Sequence, residues 1–124
     1  MLTKSTMAFF SLLFLSSRLG FDEELVWTPN AQRILEIEQS LELPSKDTKL
    51  EEYVRHYWGT MENGVAILNG QFHLPWGDEE KPNTIHINDL GGPPVIFDGG
   101  CSVINARWNM KLKKLIAIWC NGVA

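Results

Sequence analysis

Three histidines, His56, His73 and His86, are the side chains here best suited to moving protons near neutral pH. His73 and His86 fall on two predicted neighbouring strands joined by a loop. Two imidazoles within reach of one substrate act as acid and base across a hydrolysed ester. His56 follows Arg55 in a predicted helix that also carries Tyr53. Tyr53, Arg55 and His56, with Asp98, are therefore the first residues to suspect in a pocket between helices and sheet. A solvent-facing place on the polar side of a strand is the commoner origin of such histidines.

Other catalytic and metal signatures are absent from the sequence. There is no helical His-x-x-x-His and no Cys-x-x-Cys, and a bridge between Cys101 and Cys120 takes the only thiols, so no metal site is expected. Gly91-Gly92 precedes Pro93-Pro94 and opens no helix, and neither a Walker sequence nor a Gly-x-Ser-x-Gly elbow occurs. No cofactor is expected either. Asp98-Gly99-Gly100 suits a flexible acidic loop at a site, but a tight turn needing positive φ is the commoner cause of paired glycines. Five tryptophans are many for 124 residues. Trp76 stands out because it lies in a polar loop, where an indole is free to stack on a sugar, contact a protein, or fold back over the sheet.

The cysteines organise the C-terminal third. Residues 101–108 and 115–120 are rich in β-branched and aromatic residues, with Lys111, Lys113 and Lys114 between them. This reads as an antiparallel hairpin with a four-residue loop at 109–112. That register sets Trp108 opposite Lys113 and Cys101 opposite Cys120, close enough for a disulfide. On the chain-entropy account such a bridge stabilises the fold by about 3 kcal/mol.

The N-terminus carries a different message. Lys4 is the only charge before Arg18, and residues 7–15 form an apolar stretch, the layout of a secretory signal over residues 1–20. The cleavage region Ser16-Ser17-Arg18-Leu19-Gly20 lacks Ala-x-Ala, so retention as an anchor is the alternative. Paired cysteines behind a leader fit a periplasmic or secreted protein. The apolar stretch is too short for a spanning helix. The formal charge is −4, with fifteen acidic against eleven basic residues, which disfavours nucleic acid as a partner.

Residues 21–124 read as one α+β domain. Thr28-Pro29 opens a helix whose apolar stripe includes Ala31, Ile34, Leu35 and Leu41, stopped by Pro44. Thr48 and Glu51 form a capping box for a second helix ending at Gly59, with Leu50, Tyr53, Val54 and Tyr57 buried and Glu51 paired with Arg55 outside. From Asn63-Gly64 the period becomes two. Ala66, Leu68, Phe72 and Leu74 line one strand face and Asn69, Gln71 and His73 the other, and shorter strands follow at 84–88 and 95–97. The expectation is two N-terminal helices packed on an antiparallel sheet of four to five strands, an outline shared by cystatin-like and NTF2-like folds.

The run 53–59 (Tyr-Val-Arg-His-Tyr-Trp-Gly), Ile85-His86-Ile87, Asp98-Gly-Gly-Cys101 and Cys120-Asn-Gly122 together resemble a group of small exported bacterial proteins. The resemblance covers about the last seventy residues. It implies that export and the paired cysteines belong together, and it brings no activity with it. The expected function is a disulfide-stabilised binding module, more simply a non-enzyme, for a protein or cell-envelope component. The alternative is a small-ligand or hydrolytic domain with a pocket between helices and sheet. The binding candidates are Trp76, the centre of an exposed patch in the first reading, and Tyr53, Arg55, His56 and Asp98, which would converge on the pocket in the second.

Overall fold

The computed structural model describes residues 26–123, so the expected leader over residues 1–20 lies outside the described part. Six strands form one sheet: β1 (Val26–Trp27), β2 (Val54–Glu62), β3 (Val65–His73), β4 (Thr84–Asn88), β5 (Val103–Asn109) and β6 (Lys114–Cys120). The order is β1-β2-β3-β5-β6, and all these neighbours are antiparallel. The outer edge of β2 is shared, with β4 running parallel to its first half and β1 antiparallel to its second.

Local chemistry fixes the corners. Asn63 and Gly64, both at positive φ, make the two-residue turn between β2 and β3, which pairs Glu62 with Val65. Gly59 lies under Trp27, where a Cβ would come within 2.4 Å of the indole. That close approach lets β1 settle against β2, where the Trp27 indole N–H donates to Thr60 O at 2.9 Å.

One face of the sheet is the core. Tyr57, Leu68, Phe72, Ile104, Ala106 and Trp108 project to it and are buried with Ile34 of helix α1 (Ala31–Glu38). Asn30 caps that helix, its Oδ1 accepting from Gln32 N at 2.8 Å and Arg33 N at 3.2 Å. The helix therefore begins at Ala31, past Thr28-Pro29, and ends before Pro44 is reached.

The expected two-helix α+β arrangement is not the architecture of this chain. Among the described residues α1 is the only α-helix, and the domain is mostly antiparallel sheet. The cystatin-like and NTF2-like outline goes with the second helix. Residues 50–52 form a single 3-10 turn and residues 54–62 are β2. Tyr53 and Tyr57 are four residues apart, a spacing that satisfies both a helical i, i+4 stripe and two steps of a strand. Burial decides between them: Val54 is as buried as Tyr53 and Tyr57, because β2 is covered on both faces. The cap also moves by one residue, with Lys49 N–H donating to Glu52 Oε2 at 2.5 Å.

The disulfide Cys101–Cys120 is present, but its strand register differs from the expected one. The turn occupies residues 110–113, and a bulge between Arg107 and Trp108 shifts the pairing further. Cys120 stands opposite Ile104, not Cys101. Cys101 lies in a 3-10 turn (Gly100–Ser102) that folds back just before β5, and this brings the two Cα atoms to 4.6 Å. Residues 95–97 form no strand.

Candidate functional site

On the core face the most polar feature is a closed ion-pair network. Arg55 is buried and donates from Nε to Glu38 Oε2 and from Nη2 to Glu38 Oε1, each at 2.8 Å. Its Nη1 reaches Leu50 O at 3.1 Å and Asn83 Oδ1 at 3.0 Å. Asn83 sits at φ +60°, a left-handed position that asparagine tolerates, and from there its side chain reaches the guanidinium. Tyr57 Oη donates to Glu38 Oε2 at 2.6 Å. Burial above all, reinforced by the Glu38 carboxylate, raises the Tyr57 hydroxyl far above its ordinary pKa and keeps it protonated. Each of the three Arg55 side-chain nitrogens has an acceptor within the fold, so Arg55 is committed to structure.

Tyr53 is also fully buried, its hydroxyl donating to Cys101 O at 2.6 Å and lying 2.7 Å from Thr48 Oγ1. It ties the start of β2 to the disulfide turn. Tyr53 and Arg55 therefore do not meet His56 in a pocket: alternate residues of a strand face opposite ways, and His56 points to the other side. A groove of about 420 Å³ does flank α1 beside β6, lined by Ile37, Leu41, Trp108, Leu115 and Ile118 among others. None of Tyr53, Arg55, His56 and Asp98 borders it.

The opposite face of the sheet holds the remaining candidates. His86 of β4 lies directly across from His56 of β2, with ring centres 4.9 Å apart and planes within 17°. His73 of β3 sits diagonally beyond, its Nε2 3.3 Å from His56 Nε2. Trp76 then stacks on His73 at 4.1 Å. The result is a row across three strands, His86–His56–His73–Trp76. Its tautomers follow from the partners. Leu74 O only accepts, so His73 Nδ1 carries a proton and donates to it at 2.9 Å. His73 Nε2 is then the acceptor, and His56 Nε2–H donates. Burial first, then the neighbouring His86 and His73, lower the His56 pKa, against an opposing pull from Glu80. His56 is thus pushed toward its neutral form. Glu80 Oε1 accepts from Trp76 N–H at 2.7 Å, and its Oε2 lies 3.7 Å from His73 Nε2.

A strap, residues 89–99, crosses this same face on its way from β4 to β5. Gly92 rests on Trp58, where a Cβ would come within 2.5 Å of the indole. Gln71 Nε2 donates to Pro94 O at 3.4 Å, and Asn121 Nδ2 donates to Ile96 O at 2.6 Å and to Asp98 O at 3.0 Å. Asp98 is exposed at the strap's end, followed by Gly99 and Gly100 at φ +105° and +54°. Those glycines are there for the turn. The strap leaves Leu90, Val95 and Phe97 91%, 73% and 88% exposed, and Trp76, stacked on His73, is 61% exposed. Trp76 thus both folds back over the sheet and presents a free indole face.

Of the residues that stand out in the sequence, His56, Trp76 and Asp98 lie on this side of the sheet, whereas Glu38, Glu80, Trp58 and the strap carry no distinguishing pattern in the sequence. Reading 53–62 as a strand would have put His56 and His86 on one face by their spacing from Tyr57 and Ile87. No sequence signal distinguishes Val95-Ile-Phe97 as a strap from a short strand. No family model, curated protein or solved structure matches the chain.

Proposed function

We propose that this chain is an exported, non-catalytic binding module that docks a protein or cell-envelope component on the strapped face of its sheet. The observation carrying this reading is the exposure of three large apolar side chains along one strap, Leu90, Val95 and Phe97, with the Trp76 indole exposed where it stacks on His73 of the same sheet face. Exposed apolar surface gathered on one side of a small domain is what a docking surface requires. The opposite face supports the same reading: among the described residues, Tyr53 and Arg55 are engaged by Glu38, Asn83, Thr48 and backbone carbonyls and are not free for catalysis.

Export rests on two features: the leader-like residues 1–20 and the Cys101–Cys120 bridge, which persists in an oxidising compartment. No helix among the described residues is long and apolar enough to cross a membrane. The test is partner recovery from the envelope and culture medium of the producing cell, with the tagged full chain and with Phe97→Asp and Trp76→Ala. The reading expects a partner held by the wild type and lost with Phe97→Asp, while both variants keep the native circular dichroism. Equal retention by both variants would overturn it, as would an ester or glycoside hydrolysis abolished by His56→Gln.

A further inference from the structure

The histidine row contains a pair with the geometry of metal donors. We propose that His56 and His73, completed by Glu80, bind a divalent transition-metal ion of the imidazole-preferring kind, such as Zn²⁺. Trp76 borders both this site and the docking surface, but the metal proposal does not depend on docking.

The Nε2 atoms of His56 and His73 are 3.3 Å apart while their ring centres are 5.4 Å apart. The nitrogens are thus much closer than the centres, so the rings meet edge to edge with their nitrogens turned toward each other. Two imidazole nitrogens on one tetrahedral zinc, each at roughly 2.0–2.1 Å from it, stand roughly 3.3 Å apart. The pair already has that separation. His73 Nδ1–H is tied to Leu74 O at 2.9 Å, the outer hydrogen bond that fixes a ligating histidine's tautomer and aims its Nε2. Trp76, stacked on the same ring, holds its orientation.

Among the described residues no three such side chains are arranged to hold an ion as they stand. The third donor is close, however. Glu80 Oε2 lies 3.7 Å from His73 Nε2, a few tenths of an ångström beyond a tetrahedral spacing, on a side chain one-third exposed and able to move. Its Oε1 is occupied by Trp76 N–H, which leaves Oε2 for the ion. A surface cavity of about 310 Å³ bordered by Glu79, Glu80, Lys81 and His86 puts the Glu80 carboxylate at an open surface, although neither His56 nor His73 lines it. On binding, the Nε2 proton of His56 transfers to its own Nδ1, so both rings ligate as neutral imidazoles and Glu80 contributes the one negative charge. Two imidazoles and a carboxylate suit zinc, copper or nickel better than magnesium or calcium.

The test is calorimetric titration of the untagged, metal-free full chain with zinc chloride. His56→Gln, Glu80→Gln and His86→Gln are titrated in parallel, and imidazole ¹⁵N spectra are recorded with and without zinc. One ion per chain is expected, with binding weakened at least tenfold by His56→Gln and by Glu80→Gln. His86→Gln should bind as the wild type does. The Nε2 resonances of His56 and His73 should move on zinc addition while those of His86 stay. Glu80→Gln lies in a partly exposed loop and keeps the test decisive if His56→Gln does not fold. No heat at millimolar zinc would overturn the proposal. Undiminished binding by Glu80→Gln, or zinc shifts centred on His86, would overturn it equally.

Discussion

Glu38→Ala tests whether the core face is closed to function. In the folded chain Glu38 takes two hydrogen bonds from Arg55 and one from Tyr57, with both ionic side chains more than nine-tenths buried. Removing the carboxylate leaves a buried guanidinium with only carbonyl and amide acceptors and a buried hydroxyl with none. Breaking a buried pair from one side costs about 3–5 kcal/mol. Against a total stability of about 5–15 kcal/mol for such a domain, that is a large fraction. Each kcal/mol lowers the Tm of a domain this size by about 4–8 °C, so a fall on the order of 20 °C is expected. The assay is urea denaturation followed by tryptophan fluorescence, with thermal melting alongside. Glu38→Gln should lose less, since its carbonyl still accepts. The double variant Glu38→Met with Arg55→Met should recover much of the loss, because it leaves no unpaired charge behind. A loss below about 1 kcal/mol for Glu38→Ala, the range of exposed pairs, would refute the reasoning. Arg55 would then be solvated and free for a ligand.

Further expectations follow from the same structure. Stability in metal-free buffer should fall as pH drops through and below the ordinary imidazole value of 6.5. His56 has a lowered pKa in the fold, so the unfolded chain takes up the proton first, and urea midpoints across this range report it. His56→Gln should flatten that slope, and an unchanged slope would contradict the assignment. Replacing Cys101 and Cys120 together with alanine should cost about 3 kcal/mol, read from the same denaturation curves; an unaffected midpoint would mean the bridge does not restrain the unfolded chain. Gly92→Ala should lift the strap from Trp58, raising hydrogen exchange across residues 89–99 while β3 and β5 stay protected. Unchanged exchange there would show that the strap is not seated on the indole.

The chemistry of the disulfide was legible in the sequence because an even cysteine count, a leader-like N-terminal pattern and two β-rich runs all converge on one pairing. The register was not, since a one-residue shift in the turn and a bulge beside Trp108 carry no signature in residue type. The alternation through Leu68, Phe72, Asn69 and Gln71 placed β3 and its two faces well, because apolar and polar residues divide cleanly there. β2 failed for the opposite reason. It is buried on both sides, so its apolar residues show no clean period of two, and Tyr53 and Tyr57 imitate a helical stripe. Arg55 compounded the error: a charged residue beside Glu51 reads as an exposed helical pair, whereas its partner Glu38 is seventeen residues away and buried. The site was legible only in pieces, since the histidine row depends on β4 pairing parallel to β2 across a long loop, and such pairing is set by the tertiary fold.

The most direct test of the account is site-specific photo-crosslinking in the producing cell, with a photoreactive residue placed at Phe97 on the strap or at Glu36 on the exposed side of α1. A discrete crosslinked partner is expected from position 97 and none from position 36. Crosslinks from position 36 alone, or from neither position, would contradict the claim that the strapped face is where this protein binds.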